Sequence, residues 1–296
     1  VPDVVAVVGP TAAGKSEAAL RIAEALNGEV VNADSMQLYR GMDVGTAKLA
    51  RDEQRGVPHH LLDVWDVTET ASVAAYQALA RDAIDGVRQK GRTAVLVGGS
   101  GLYIRAALDV LEFPGTDAAI RERLEQEAAE QGAEALHERL TGLDPVAAQR
   151  IGPANVRRTV RALEVIELTG RPFSSNPGME AYGASVYDTT YLGLAPDLDG
   201  LDVRITDRVD VMWERGLVAE VAHLAEQGLR DGVTARRALG YQQVLAFLDG
   251  ACTEHEARER TKQATRRFAR RQLSWFRRDP RIAWFARTEQ IVAAAT

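Results

Sequence analysis

The stretch "VVAVVGPTAAGKS", residues 4 to 16, constrains this chain more than any other. Five apolar residues run into Gly9-Pro10-Thr11-Ala12-Ala13-Gly14-Lys15-Ser16, and helix formers follow. This is G-x-x-x-x-G-K-[ST] with a strand before it and a helix after it, the setting in which such a loop cradles phosphate. The amides of Gly9 to Ser16 can form an anion nest at a helix N-terminus. Lys15 adds a point charge, and the Ser16 hydroxyl is placed to ligate Mg²⁺. A glycine-rich turn without a ligand has no need of eight matching positions in that setting.

The first hundred residues alternate strand and helix. Strands are read at Val4–Val8, Glu29–Ala33 and Thr93–Val97, with helices from Gly14 to Leu26 and from Val73 to Lys90. Near-continuous apolar strands alternating with helices predict a parallel sheet buried on both faces. Three of these strands end in polar or glycine-rich turns, at Gly9, Asp34 and Gly98, and ligands of such sheets lie at those carboxyl ends. After Pro114 the character changes. Asp117–Leu140 reads as one charged amphipathic helix and Asn155–Thr169 as another. "TGRPFSSNPGMEAYGAS" then breaks the pattern, and "TTYLGLAP" at 189 to 196 reads as a buried strand returning to the sheet. The expected fold is α/β: a P-loop NTPase-like parallel-sheet core at 1–116 plus 189–296, a helical insertion at 117–188, and a mostly helical C-terminal region.

The loop alone suggests ATP or GTP. An NTPase also needs a carboxylate to hold Mg²⁺, often at the end of an apolar strand. "TAVLVGGSG" has none there. The well-placed acid is Asp34, which can bind metal, orient a hydroxyl, accept a proton, or simply cap the turn of "ADSMQLY".

Charge is the second signal. The chain carries a net −6, which argues weakly against nucleic acid. Between Arg258 and Arg287, however, eleven basic residues face two acids, a local net of +9. A local patch is what a polyanion meets. At about 100° per residue, Arg266, Arg267, Arg270, Arg271, Arg277 and Arg278 fall within an arc of roughly 140°, with Phe268, Ala269, Leu273, Trp275 and Phe276 opposite. No acid interrupts that arc within its own segment, so an RNA-binding face is preferred to a merely solvated one. Arg157, Arg158 and Arg161 form a second basic stripe. The single cysteine, Cys252, excludes an internal disulfide and suits a reducing compartment. Val1 runs straight into a strand and no apolar run reaches membrane-spanning length, so the expected location is the cytoplasm, without a membrane partner. His59-His60 point apart on a strand or a helix, which favours polar packing over a metal site.

"GPTAAGKS", "NADSMQLYRGMDVGTAK", "HHLLD", "VGGSGLY", "RALEV", "RRALGYQQ" and "RRQLSWFRR" occur in that order. Together they resemble the bacterial tRNA dimethylallyltransferases, or isopentenylpyrophosphate transferases, from about residue 4 to 285. D-S-x-x-x-Y followed by G-x-D-x-G-T-A-K is the specific part. The resemblance implies transfer of a dimethylallyl group from its diphosphate to the exocyclic amine of the adenine 3′ of the anticodon. The loop then holds a pyrophosphate leaving group, with Mg²⁺ as cofactor. Lys15, the Thr11 hydroxyl and Arg237 are implied on the departing diphosphate, with Arg236 as the alternative should the alignment slip by one. Asp34 is implied as the base, with Ser35, Met36 and Gln37 lining the adenine's path. Contacts to tRNA are implied at Ser100, Arg121 and Arg237 or Arg236, and the two basic faces add Arg157, Arg158, Arg161, Arg270, Arg271 and Arg277 as expected tRNA contacts. Ala13 and Ser16 replace residues common in relatives without harm to this chemistry. One cysteine cannot build the zinc finger of eukaryotic relatives. A monomer is expected, one surface wrapping one anticodon arm. Three other readings remain: a small-molecule kinase, an RNA-binding module that senses nucleotide, and a transferase acting on free adenine nucleotides.

Overall fold

The computed structural model describes residues 2–175 and 182–296; Val1 and part of the pattern-breaking stretch at 169–185 lie outside them. The chain divides into two compact units, Val1–Leu108 with Ser185–Thr296, and Asp109–Ala184. Each is described by itself.

The larger unit begins with β1 (Val4–Val8), α1 (Lys15–Leu26), β2 (Glu29–Asn32) and β3 (His59–His60). It continues with α2 (Val73–Gln89), β4 (Ala94–Gly98) and α3 (Gly101–Leu108). The smaller unit contains α4 (Ala118–Gln131), α5 (Ala133–Leu143), α6 (Pro145–Ile151) and α7 (Val156–Thr169). The larger unit resumes with β5 (Thr189–Leu194), α8 (Leu198–Glu214), α9 (Leu217–Glu226) and α10 (Tyr241–Leu248). It ends with α11 (Glu254–Phe276), β6 (Ala283–Phe285) and α12 (Thr288–Ala295).

The sheet has six strands in the order β3-β2-β4-β1-β5-β6, and every pairing is parallel. Every residue of β1 is fully buried, as a central strand covered on both faces requires. From β1 the chain crosses to β2 on one side, and from β4 it crosses to β5 on the other. Right-handed crossovers in opposite directions place helices on opposite faces and open a crevice at the carboxyl ends where the order reverses. One face packs Val5, Val7, Val30, Val95 and Leu192 against Ala19 and Ile22 of α1 and Ile291 of α12. Gly9 turns the chain out of β1 at φ +144, and a Cβ there would lie 2.3 Å from the Leu194 carbonyl oxygen, so only glycine fits.

Several expectations need correcting. The helix expected over Asp117–Leu140 is two, because Gly132 sits between α4 and α5 at φ 90, ψ 162 and turns the chain. β3 and β6 are only two and three residues long, too short to carry a periodic signal, and neither was expected. α11 stops at Phe276, so Arg277 is its C-cap and Arg278 lies beyond the helix.

In the smaller unit, Leu124, Leu136, Leu140, Val160 and Leu163 form the core. A closed ring of charges clasps three of its helices: Arg123 and Arg139 each bridge Glu127 and Glu167.

Candidate functional site

The phosphate loop leaves the end of β1 and enters α1 through Gly14, which adopts φ 96. Lys15 lies half-buried beneath it, and its Nζ donates to the Pro10 carbonyl at 2.6 Å. Burial and the positive Arg208 lower the Lys15 pKa to about 8, against the pull of the Asp34 carboxylate. Arg208, on α8, is half-buried; desolvation lowers its pKa, and Asp34 opposes that shift too. Its Nη2 donates to the Thr46 carbonyl at 3.1 Å. Two partly buried cations at the carboxyl edge of the sheet thus both feel the Asp34 carboxylate. A net positive, poorly solvated site of this kind is completed by an anion.

Asp34 follows β2. Its Oδ1 accepts from the Met36 amide at 2.9 Å, so the carboxylate does cap its own turn. Its other oxygen has no protein partner among the described residues. Asn32 holds the segment from behind, accepting from the Asp34 amide at 2.9 Å and donating to the Leu61 carbonyl at 3.0 Å. Tyr76 and Tyr103 stack with centroids 4.3 Å apart, and the Asp34 charge acts on both phenols after burial. Both rings thus lie within reach of the Asp34 charge.

The loop is gripped from above by the C-terminal helices. Gln272 of α11 accepts from the Thr11 amide at 2.9 Å and donates to the Gly99 carbonyl at 2.9 Å. One buried amide side chain thereby ties the phosphate loop to the end of β4. The Thr11 amide, expected among the anion donors, is committed to Gln272 instead. Ala12, at φ 61, packs against Leu201, Ile205 and Ala269.

The remaining expected residues separate into groups. Gln37 donates to the Thr46 carbonyl at 3.2 Å, Met36 packs on the apolar cluster around Tyr39, and Ser35 lies half-buried in the turn before them. Ser100 starts α3, its carbonyl accepting from Tyr103 and Ile104. Arg236 and Arg237 lie exposed in a 3₁₀ turn at Ala235–Arg237, and Arg236 donates to the Arg230 carbonyl. The guanidinium coupled to Lys15 and Asp34 is Arg208, which the sequence did not single out: inside "VRITDRVD" it looks like one more solvated helix residue. Gln272 left a clearer signal, as a polar residue on the apolar side of α11.

The arginine face of α11 is not free of acids. They come from α8. Arg270 meets Asp202 at 2.7 Å, Arg266 donates to the Thr206 hydroxyl at 2.6 Å, and Arg258 and Lys262 meet Asp210 at 2.7 and 2.8 Å. Positions 202, 206 and 210 recur every four residues, one face of a helix laid along α11. Periodicity within one segment cannot reveal a partner helix. Arg267, Arg271 and Arg277 have no acidic partner among the described residues, and Arg271 lies over the Phe268 ring at 5.8 Å.

In the smaller unit, Arg121 and Arg161 both hold Glu164, at 2.7 and 2.8 Å. Burial pushes that carboxyl up, but the two arginines and the Asp117 amide outweigh it and keep its pKa below the usual range. Arg157 and Arg158 stand exposed at the start of α7. His60 meets the buried Glu29 at 2.7 Å and His59 the Val57 carbonyl at 2.9 Å. Among the described residues no group of three His, Cys, Asp or Glu is placed to hold a metal, and no helix is long and apolar enough to cross a membrane.

A phosphate loop at the carboxyl edge of a parallel sheet, with two half-buried cations and a carboxylate near it, defines a phosphate-loop protein of the α/β class. Residues 37–279 match the IPP transferase family. The chain is 63% identical over 286 residues to a tRNA dimethylallyltransferase of Streptomyces avermitilis, covering 96% of this chain and 90% of that one. The crystal structure of the full-length tRNA isopentenylpyrophosphate transferase of Bacillus halodurans matches with a TM-score of 0.72 at 41% identity, over 99% of this chain and 94% of the other. A eukaryotic dimethylallyltransferase acting on tRNA matches with a TM-score of 0.80 at 28% identity, over 92% and 69%. The chain belongs to the IPP transferase family.

Proposed function

We propose that this protein transfers a dimethylallyl group from dimethylallyl diphosphate to the N6 amine of the adenine next to the anticodon in tRNA. The observation that carries this reading is the phosphate-loop Lys15 set within the electrostatic reach of both Arg208 and the Asp34 carboxylate at the carboxyl end of the sheet. Charge builds on the diphosphate as the allylic carbon–oxygen bond breaks. The phosphate-loop amides other than that of Thr11, together with Lys15 and Arg208, receive it on this reading, with the Thr11 hydroxyl beside the departing oxygen. Arg208 takes the diphosphate role first given to Arg237, and Arg237 and Arg236 remain candidates for RNA. The new N6–carbon bond forms while the amine loses a proton. Asp34 accepts that proton on its unpartnered oxygen.

Mg²⁺ fits this site as a hard cation. The Ser16 hydroxyl would hold it, with diphosphate oxygens and water completing the shell, since no protein carboxylate cluster is present among the described residues. The ion would neutralise charge on the leaving group.

The adenine must leave its stack to reach the crevice, at roughly a few kcal/mol. Contacts elsewhere offset this. Arg267, Arg271 and Arg277 on the larger unit and Arg157 and Arg158 on the smaller have no acidic partner among the described residues and suit phosphates. Arg270 contributes less because Asp202 already neutralises it. Arg121 and Arg161 anchor Glu164 and present only their outer edges. The protein acts as a cytoplasmic monomer on this reading. Labelled dimethylallyl diphosphate supplied with tRNA, with AMP, or with no acceptor tests it. Label should enter tRNA alone with equimolar pyrophosphate released. Label in AMP, or phosphoryl transfer from ATP, would replace this reading with one of its rivals.

A further inference from the structure

Glu220 lies on α9, outside the set of groups given a role above, yet its carboxylate is fully used. Oε2 accepts from the amides of Asp43 and Val44 at 3.1 and 2.6 Å. Oε1 accepts from the Gly45 amide at 3.1 Å and from the Tyr241 hydroxyl at 2.6 Å. Three consecutive amides converging on one anion form a nest, a geometry that a backbone segment holds only around negative charge. Here the anion is a side chain from another part of the chain.

The nest is built tightly. A Cβ on Gly45 would lie 2.5 Å from the Tyr241 ring and 2.8 Å from Leu217, so only glycine lets the ring close over the segment. The next residue is the point of interest. The Thr46 carbonyl accepts from Arg208 at 3.1 Å and from Gln37 at 3.2 Å. One carbonyl thus orients the half-buried guanidinium and a side chain beside Asp34. Its own direction is set by the segment that Glu220 fixes, with the Thr46 hydroxyl tied back to the Met42 carbonyl at 2.6 Å.

We propose that Glu220 is a positioning residue for the transfer reaction: by holding the 43–45 amides it aims the Thr46 carbonyl, and through it Arg208, at the leaving diphosphate. This rests on the diphosphate role proposed for Arg208. Glu220 touches no substrate. Its effect runs through Arg208, and that dependence separates it from a residue that merely packs α9 onto the loop.

A double-mutant cycle tests this. Glu220→Gln keeps the shape but turns an NH₂ group toward backbone N–H groups. Per folded molecule, kcat should fall about 10- to 100-fold and the KM for dimethylallyl diphosphate should rise, while the Kd for an anticodon stem-loop stays within about twofold. These magnitudes are those of a charge-assisted hydrogen-bond set lost from a buried position. In an Arg208→Ala background the same substitution should add less than about twofold. Tyr241→Phe removes one donor of four and should cost less than Glu220→Gln. If Glu220→Gln does not fold, Glu220→Asp, which withdraws the carboxylate without removing its charge, enters the same cycle. Normal kinetics per folded molecule, with Arg208→Ala impaired, would overturn the positioning role and leave the reading of Arg208 intact. Normal diphosphate kinetics in Arg208→Ala would overturn both. Additive losses in the double mutant would make Glu220 a structural residue only.

Discussion

Lys15 and Arg208 are half-buried at the end of the sheet, whereas Arg267, Arg271 and Arg277 stand in water on and just beyond α11. All are cations that meet phosphate on the proposed reading, but they act under different physics. A half-buried cation costs desolvation, visible in the Lys15 pKa lowered to about 8 by burial first and Arg208 second. It is kept because an arriving anion finds it oriented and unscreened. A surface arginine costs little and contributes little singly, and salt screens it. The first kind of charge sets rate; the second sets affinity for a long polyanion. Arg270 falls between the two, exposed but held by Asp202 at 2.7 Å.

The comparison breaks first at Lys15. Lys15→Ala should abolish measurable transfer while leaving stem-loop binding unchanged, read by single-turnover kinetics and fluorescence anisotropy. Normal turnover would mean that the loop serves another ligand. The next largest effect is expected at Gln272. Gln272→Leu leaves the Thr11 amide and the Gly99 carbonyl without their partner. Transfer should fall by about 10-fold or more, in line with a lost buried hydrogen-bond pair, with the dimethylallyl diphosphate KM raised.

A pH series sharpens the contrast. Lys15 is charged below about pH 8 and loses its proton above it. The charged form binds diphosphate, so the diphosphate KM should be flat below pH 8 and rise above it, by at most about tenfold per unit. In Lys15→Arg this rise should disappear, since a guanidinium does not titrate there. Stem-loop affinity should show no such inflection, because Lys15 takes no part in it on this reading.

The smallest effect belongs to the surface. Each phosphate neutralised adds about 0.7–0.9 to the slope of log affinity against log salt. Replacing Arg267 and Arg271 together with Ala should flatten that slope by about 1 to 2 and leave diphosphate affinity untouched. Arg270→Ala should change it less than Arg271→Ala, because Asp202 already neutralises the first. An unchanged slope in the double variant would move the RNA contact to Arg157 and Arg158.

The phosphate loop, the parallel sheet and the strand-end position of Asp34 were legible because each rests on local pattern: an apolar run, a glycine spacing, a helix start. Arg208 and Glu220 were not. Each sits on an ordinary amphipathic helix, and its importance comes from what lies across from it in space. The acids facing α11 were missed for the same reason, since Asp202 and Asp210 belong to a helix some sixty residues earlier in the chain. Gly132 was visible as a glycine but was absorbed into a longer helix, because an amphipathic pattern continues across it. The Thr11 amide shows the limit of motif reasoning most directly: the motif makes it an anion donor, and Gln272 takes it.

The central claim is that Asp34 accepts the amine proton while Lys15 and Arg208 hold the leaving diphosphate. Asp34→Asn, compared with wild type for both dimethylallyl diphosphate affinity and single-turnover transfer to an anticodon stem-loop, tests it most directly. The account predicts affinity within about twofold and a transfer rate lower by on the order of 10²–10⁴, the contribution of a positioned base. Near-normal transfer would contradict it, and so would a loss explained wholly by weaker diphosphate binding.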